Sequence, residues 1–433
     1  MTQTDRTVSA SAGVTTRRGN EATVARPLRQ AATAAGVIGT RRGVRRERLP
    51  ALDGLRFLAA LSVVLFHFVG QTPGAMRVVW GRPYQSTFPE LHHYFAFGRL
   101  GVDLFFLISG FVICMSAWGR TPRDFFISRV TRLYPMYWIA IVVSACVIYL
   151  ADSPFGHPHP RVLLANFTML QAALGVANLD PVYWTLWPEL CFYLTFAVVV
   201  WKGLSYQRVV TFCGLWTVAT VLAPAAHIPL LTLVVNPVSA PYFIAGMAFH
   251  LMYRYRPAPL LWGIVALSWL LALHFLLAPT GGRNNWDTWS PWRGWLILAV
   301  TVFFLLIAAI AVGWTRKIRW RGLTVAGTLT FPLYLLHDSI GMTVAHHYGD
   351  RVDPLLLVGV TVSTLLVLSY LAHRFVERPI ALAIRCALNT ALSSLQPPTL
   401  QPFRGPFRCR QNPSSGRVDS KIHHVQNSSP GEF

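Results

Sequence analysis

The chain has 433 residues, of which 53% are hydrophobic and 13% are charged, and its formal net charge is +21. Soluble domains carry about 25% charged residues, so this chain has too few to cover the surface of a soluble protein of its size. Its basic residues stand in short clusters between apolar stretches and do not gather on one face, which argues against nucleic-acid binding. The composition therefore predicts an all-α polytopic integral membrane protein.

Two polar tails flank the apolar part of the chain. Residues 1–49 hold ten Arg and three acidic residues and show no hydrophobic periodicity. They also lack a strong apolar run of the kind that a signal peptide needs. Residues 381–433 are polar and rich in Pro and Ser. We predict that both tails are unstructured and cytoplasmic, and that residues 50–380 form the transmembrane domain.

Ten apolar segments recur between the tails, each close to the length of about 20 residues that a helix needs to cross the hydrocarbon core. Successive loops alternate between the two sides of the membrane. The loops on the same side as the N-terminus carry twelve Lys and Arg, and the loops on the opposite side carry six. The positive-inside bias then predicts cytoplasmic termini and a multi-pass protein of the plasma membrane. The predicted spans are 53–70, 99–118, 134–151, 184–201, 208–225, 237–253, 259–278, 294–314, 322–341 and 354–373.

Arg56 and His67 are the first ionisable residues of chemical interest, because both lie within the first predicted span. They are 11 residues apart, which places them on one helix face and about 16 Å apart along the axis. Ionisable side chains inside hydrocarbon are costly and usually functional. A snorkelling arginine at the membrane boundary and a histidine packed in the core are the alternatives.

Four further titratable groups are predicted in the outer half of other spans: Asp103, Glu189, His337 and Asp338. If these groups share one layer with His67, they form a site with a base, orienting carboxylates and a second histidine. Such a set suits acyl transfer or a proton relay. Under this hypothesis Glu189 or Asp103 orients the His67 ring. A chance coincidence of depth is the competing explanation.

Arg129 and Arg132 lie just before the cytoplasmic start of the third predicted span, 134–151. Their spacing of three residues puts both guanidinium groups on one side of a helix. Forked, permanently charged donors suit phosphate, but the positive-inside bias alone also accounts for such a pair.

Six sequence blocks give the chain a family resemblance. It resembles the membrane-bound acyltransferase-3 family, which includes bacterial O-acyltransferases of polysaccharides, glycolipids and macrolides, and the resemblance covers about residues 50–380. The blocks that carry it are LDGLRFLAALSVVLFH, with the Arg-x10-His of Arg56 and His67, GVDLFFLISGFVI, RVTRLYP, WTLWPELCFY, PLYLLH and FVERP.

The resemblance implies an acyl-CoA:hydroxyl O-acyltransferase with Arg56 and His67 as its essential pair and Arg129 and Arg132 as a second motif. We expect His67 to act as general base and the arginines to hold the phosphates of the acyl-CoA co-substrate. The expected acceptor is a hydroxyl of a carbohydrate or glycosylated natural product. Tyr193, His337 and Asp338 are expected to help bind substrate.

No cofactor, metal or nucleic-acid partner is expected beyond acyl-CoA, the acceptor and the lipid bilayer. A proton-coupled transporter whose path uses Asp103, Glu189 and His337 is the alternative function. Transporters commonly show internal repeats, and the two halves of this chain share no such similarity. A lipid-binding scaffold is a third hypothesis, and it would tolerate replacement of His67.

Overall fold

The structure, a computed structural model, describes residues 49–151, 153, 156–278 and 292–394. Residues 1–48 and 395–433, which make up most of both predicted tails, lie outside the described residues. Within the described ranges every regular element is helical. This confirms the predicted all-α polytopic class.

The first half of the described chain forms eight α-helices. A π-helical turn, Phe66–Gly70, extends the first helix, and 3-10 turns precede the fifth and the eighth. In chain order the helices are α1 (Pro50–Leu65), α2 (Pro73–Trp80), α3 (Tyr84–Thr87), α4 (Leu91–Ala96), α5 (Gly101–Ala117), α6 (Pro122–Leu150), α7 (Pro160–Phe167) and α8 (Leu186–Trp201).

The second half of the described chain also forms eight α-helices. A second π-helical turn, Ala372–Glu377, joins the last two of them. In chain order they are α9 (Tyr206–Ala225), α10 (Pro229–Val235), α11 (Ala240–Arg254), α12 (Pro259–Leu277), α13 (Arg293–Ala311), α14 (Arg321–Tyr348), α15 (Pro354–Leu371) and α16 (Arg378–Ser394).

Nine helical segments of the described ranges are long and apolar enough to cross a membrane. The ninth predicted span, 322–341, falls within α14, which is not among those nine segments. This helix has 28 residues, so it is about 42 Å long and also has the length to cross. Its polar residues His337, Asp338 and Ser339 are all buried, which shows that they face other helices of the bundle.

Close helix packing brings α14 alongside α1 and α5 alongside α11. In the second pair, a Cβ added at Gly110 would stand 2.2 Å from the carbonyl oxygen of Phe243. A Cβ added at Gly246 would stand 2.2 Å from the carbonyl oxygen of Leu107. Small residues allow helix backbones in membranes to approach this closely, so the two glycines fix the α5–α11 contact.

Two helix boundaries differ most from the predicted ones. α6 begins at Pro122, about three turns before the predicted span, because the Thr121 side chain caps the backbone N–H of Asp124 at 3.1 Å. α16 continues to Ser394, although a polar tail was predicted from residue 381. This segment is rich in good helix formers and packs against α6, where Arg123 donates to the carbonyl oxygen of Asn389 at 2.6 Å.

Candidate active site

His67 lies in the π-helical turn that follows α1. Its side chain is 15% exposed. Its ring stands edge-on to that of His337, with centroids 5.1 Å apart and planes at 75°. Single π-helical turns are frequent at functional sites. This turn ends α1 with His67 directed toward α14.

The carboxylate next to His67 belongs to Asp338 of α14. Asp338 Oδ1 lies 2.7 Å from His67 Nδ1, and the Asp338 side chain is only 2% exposed. The contact is short but oblique, since Oδ1 meets no donor at normal hydrogen-bond angles. Catalytic contacts are often poorly aligned before substrate binds. Sequence analysis expected Glu189 or Asp103 in this position and assigned Asp338 to substrate binding.

His337 has a fixed tautomer. Its Nδ1 lies 2.8 Å from the carbonyl oxygen of Tyr334 and 3.2 Å from that of Leu333. Carbonyl oxygens only accept, so Nδ1 carries the proton and Nε2 keeps a lone pair. His337 is fully buried, and its Nε2 has no hydrogen-bond partner. We name His67, His337 and Asp338 together the histidine site.

Gln71 is a neighbour of His67 that sequence analysis missed. Its amide Nε2 lies 3.0 Å from His67 Nδ1, and its backbone carbonyl accepts from His92 Nε2 at 2.7 Å. The signal was available in the sequence, because Gln71 follows His67 by four residues and so stands one helical turn away. The contact joins α4, which carries His92, to the histidine site.

Asp180, a second residue that sequence analysis missed, lies in the loop just before the span Pro181–Trp201. It is fully buried. One carboxylate oxygen accepts from the backbone N–H of Val182 at 3.0 Å, and the other accepts from both the backbone N–H and the hydroxyl of Ser339. Burial raises the pKa of the Asp180 carboxyl, and the nearby Asp338 carboxylate raises it further. Asp180 therefore anchors α14 one residue from Asp338.

A second cluster of polar side chains lies nearer the start of α1. We name this cluster the arginine site; it consists of Arg56, Arg129, Arg132, Glu189 and Tyr193. Arg56 is close enough to Arg132 and to the carboxylates of Glu189 and Asp53 for electrostatic interaction, and Tyr193 is a further neighbour. The Tyr193 hydroxyl donates to Glu189 Oε1. Glu189 thus lies among the arginines, whereas sequence analysis expected it in one layer with His67.

Arg129 and Arg132 are held in different ways within the arginine site. The Arg129 guanidinium donates to the hydroxyls of Ser116 and Ser128 at 3.2 and 3.0 Å. It also stands 5.4 Å from the centre of the Tyr193 ring, a cation–π distance. Arg132 is 34% exposed, and its Nη1 lies 3.5 Å from Glu377 Oε1. Both guanidinium groups therefore keep donor capacity for a further anion.

Glu377 connects Arg132 to the second π-helical turn. Its other oxygen, Oε2, lies 2.7 Å from His373 Nδ1, and Arg378 donates to His373 Nε2 at 3.1 Å. These contacts agree with one tautomer of His373, which donates through Nδ1 and accepts through Nε2. In the sequence Glu377 is part of the block FVERP, and the pattern predicts no role for it.

Asp103 lies in the first turn of α5 and is partly buried. The histidine site and the arginine site thus divide the predicted residues between them, with Asp103 as the one residue outside both.

Along α1 and the π-helical turn that follows it, the 11-residue spacing puts about 16 Å between Arg56 and His67. The Tyr334 hydroxyl is bonded to Thr185 at 3.0 Å and to the carbonyl oxygen of Val182 at 3.2 Å, and the Tyr334 ring centre lies 5.8 Å from that of His337.

Fold and site together define a multi-pass helical membrane protein with a buried histidine–carboxylate pair and a separate cluster of arginines. Residues 49–374 match the family model of the acyltransferase-3 group, which is described as an acyltransferase domain. The match covers most of the chain, and the chain belongs to this family. The resemblance seen in the sequence blocks is thereby confirmed.

Three relatives illustrate the range of the family. The chain is 29% identical to acyltransferase MdmB of Streptomyces mycarofaciens over 41% of this chain and 45% of that protein. It is 20% identical to O-acetyltransferase OatA of Staphylococcus aureus over 77% of this chain and 57% of that protein. It is 27% identical to the exopolysaccharide production protein ExoZ of Rhizobium meliloti over 58% of this chain and 80% of that protein.

The chain thus spans about half the length of the first two of these relatives. No solved structure matches the chain.

Proposed function

We propose that the chain is a plasma-membrane O-acyltransferase that moves an acyl group from acyl-CoA to a hydroxyl of a carbohydrate or glycosylated natural product. The observation that carries this proposal is the contact of 2.7 Å between Nδ1 of the partly buried His67 and Oδ1 of the buried Asp338, in a chain that belongs to an acyltransferase family. Relatives whose names include O-acetyltransferase and exopolysaccharide production support the choice of a hydroxyl acceptor. Family membership favours this function over the proton-coupled transporter.

In the proposed reaction His67 acts as general base. In the catalytic tautomer the Gln71 amide no longer donates to His67 Nδ1, and the Asp338 carboxylate holds the proton on Nδ1 instead. The lone pair on Nε2 is then left to accept the proton of the acceptor hydroxyl. The hydroxyl oxygen attacks the thioester carbonyl, and the carbon–sulfur bond breaks. The imidazolium then returns its proton to the departing thiolate, so that the products are an ester and free coenzyme A.

The arginine site is proposed to hold the phosphates of acyl-CoA. Three guanidinium groups lie there with the carboxylates of Glu189 and Glu377, and Asp53 also interacts with Arg56, so the proposal rests on the forked donors of the arginines and not on an excess of positive charge. Arginine forks bind phosphate oxygens in pairs. The distance of about 16 Å along α1 between Arg56 and His67 is one that the extended pantetheine arm of coenzyme A is able to span.

The test uses the full chain purified in nanodiscs with acetyl-CoA and a panel of methyl glycosides and a macrolide glycoside as acceptors. Release of the free thiol of coenzyme A is followed with a thiol reagent, and the ester product is identified by mass. We expect acceptor-dependent release by the wild-type protein. Its loss by about 10²–10⁴-fold is expected in His67→Ala, the usual range for removal of a general base.

The control variant is His274→Ala, which removes an exposed histidine of α12 and is expected to keep the wild-type rate. Both variants are first checked by size-exclusion chromatography, so that misfolding is not mistaken for loss of chemistry. Wild-type activity in a folded His67→Ala protein would eliminate His67 as the base. Absence of acceptor-dependent thiol release from the wild-type protein would contradict the proposed function.

A further inference from the structure

The histidine site has a property that general-base catalysis does not require. One ligand atom from each of His67, His337 and Asp338 lies within 4.8 Å of the others. His337 Nε2 is buried, carries a lone pair and has no hydrogen-bond partner. Leaving a buried polar atom unpaired is energetically costly. A ligand that accepts this lone pair would remove the cost.

We propose that His67, His337 and Asp338 form a three-ligand site for a divalent transition-metal ion such as Zn²⁺, and that the bound ion inhibits acyl transfer. The second half of this proposal rests on the proposed function, whereas the first half does not. Sequence analysis expected no metal site. His67 is about 270 residues from His337 and Asp338 in the chain, so the sequence shows no ligand spacing that would predict a metal site.

The donor set fits Zn²⁺ better than Mg²⁺ or Ca²⁺. Two imidazoles and one carboxylate, with a fourth position open, are ligands that zinc commonly takes, at bond lengths of about 2.0–2.2 Å. Magnesium and calcium prefer oxygen ligands. The rings of His67 and His337 stand at 75° to each other, so their nitrogen atoms are able to approach a common centre from different directions.

The surroundings of His337 resemble those of a metal-bound histidine. Ligating histidines usually donate their other ring N–H to a carboxylate, a backbone carbonyl or water, which fixes the tautomer and the ring orientation. His337 donates Nδ1–H to the backbone carbonyl of Tyr334 at 2.8 Å. The neighbouring residue Ser339 is anchored to Asp180, which holds this stretch of α14 in place.

Coordination at His67 Nδ1 explains why the ion would inhibit. The nitrogen lone pair at Nδ1 is given to the metal, and the proton of the neutral ring then resides on Nε2. No lone pair remains on the ring to accept the proton of an acceptor hydroxyl. The ion is expected to enter past His67, since this side chain is 15% exposed whereas that of Asp338 is 2% exposed.

The test measures metal binding without substrate. Full-length protein in nanodiscs is stripped with EDTA and titrated with Co²⁺, whose visible absorption reports four-coordinate nitrogen and oxygen sites. We expect one equivalent to give these bands and Zn²⁺ to displace it. His337→Gln is expected to bind Co²⁺ about 100-fold or more weakly, since even changes outside the ligand set cost 10–100-fold in affinity.

The matched control is the double variant His346→Gln/His347→Gln, which removes two exposed histidines from the end of the same helix. It is expected to keep the Co²⁺ bands. Asp338→Asn provides a second ligand variant in case His337→Gln does not fold. Co²⁺ spectra that are absent in the wild-type protein, or unchanged in a folded ligand variant, would overturn the metal site.

Inhibition is then measured separately by adding Zn²⁺ to the acyl-transfer assay and reversing it with EDTA. Loss of activity that follows the occupancy curve supports the inhibitory role, and full activity at full occupancy refutes it. If the protein binds Co²⁺ as expected but transfers no acyl group, the metal site stands and the proposed function fails. The two proposals are therefore distinguishable.

Discussion

The histidine site and the arginine site differ in how tightly the protein holds them. In the histidine site, His337 and Asp338 are almost fully buried, and the contact of Asp338 with His67 is 2.7 Å long. In the arginine site, Arg132 is 34% exposed and its contact with Glu377 is 3.5 Å long. Short buried contacts suit a group that must hold one proton in one place. Longer and partly hydrated contacts suit the exchange of a large charged ligand.

This contrast predicts that substitutions in the two sites change different kinetic constants. Under the proposed function, changes in the histidine site lower kcat and leave the KM for acyl-CoA nearly unchanged. Changes in the arginine site raise that KM. Each prediction below is measured as initial rates of coenzyme A release over a range of acetyl-CoA concentrations.

The largest effect is expected for Asp338→Asn. An amide is nearly the same size as the carboxylate but does not stabilise the imidazolium that forms at His67. We expect kcat to fall by about 10²–10⁴-fold with little change in KM. Asp103→Asn is the comparison variant, because sequence analysis expected that carboxylate beside His67. If Asp103→Asn lowers kcat as much as Asp338→Asn does, the assignment of the orienting carboxylate is wrong.

The next effect is expected for the double variant Arg129→Gln/Arg132→Gln. Loss of two charge-assisted contacts to phosphate is expected to raise the KM for acetyl-CoA by about 10–100-fold, with kcat lowered less. Arg254→Gln serves as control, since the Arg254 guanidinium packs 4.6 Å from the centre of the Trp118 ring, outside the arginine site. A fall in kcat at unchanged KM in the double variant would erase the proposed difference between the two sites.

The smallest effect is expected for Glu377→Gln. The amide keeps the volume of Glu377 but loses the charge that holds Arg132 and His373. Partly exposed ion pairs contribute about 0.2–1 kcal/mol, so we expect the KM to rise by no more than about fivefold. The effect is expected to disappear in an Arg132→Gln background, which a double-mutant cycle measures. Equal effects of Glu377→Gln with and without Arg132 would show that Glu377 does not act through Arg132.

Residues on one helix were more predictable from the sequence than residues that meet across helices. The 11-residue spacing predicts that Arg56 and His67 share one helix face, because helix geometry is local, and the structure places Arg56 in α1 and His67 in the π-helical turn that continues it. The partner of His67 depends on the rotation of α14 against α1, and a sequence pattern does not contain that angle. Depth alone therefore suggested Glu189, although Glu189 lies beside Tyr193.

The positions of the π-helical turns are also not predictable from the sequence. Phe66–Gly70 and Ala372–Glu377 continue regular helices with no Gly or Pro at their starts, so no local signal marks the change in helix type. Asp180 was missed for a related reason. It lies in a loop, and its importance comes from Ser339, 159 residues further along the chain.

The burial of polar residues along α14 also bears on how the protein is made. A helix with His337, Asp338 and Ser339 in its middle is a poor substrate for independent transfer from the translocation machinery into lipid. We expect it to leave that machinery only when earlier helices, α1 above all, are present to cover its polar side. A truncated chain without α1 should therefore leave this segment outside the bilayer and exposed to proteases.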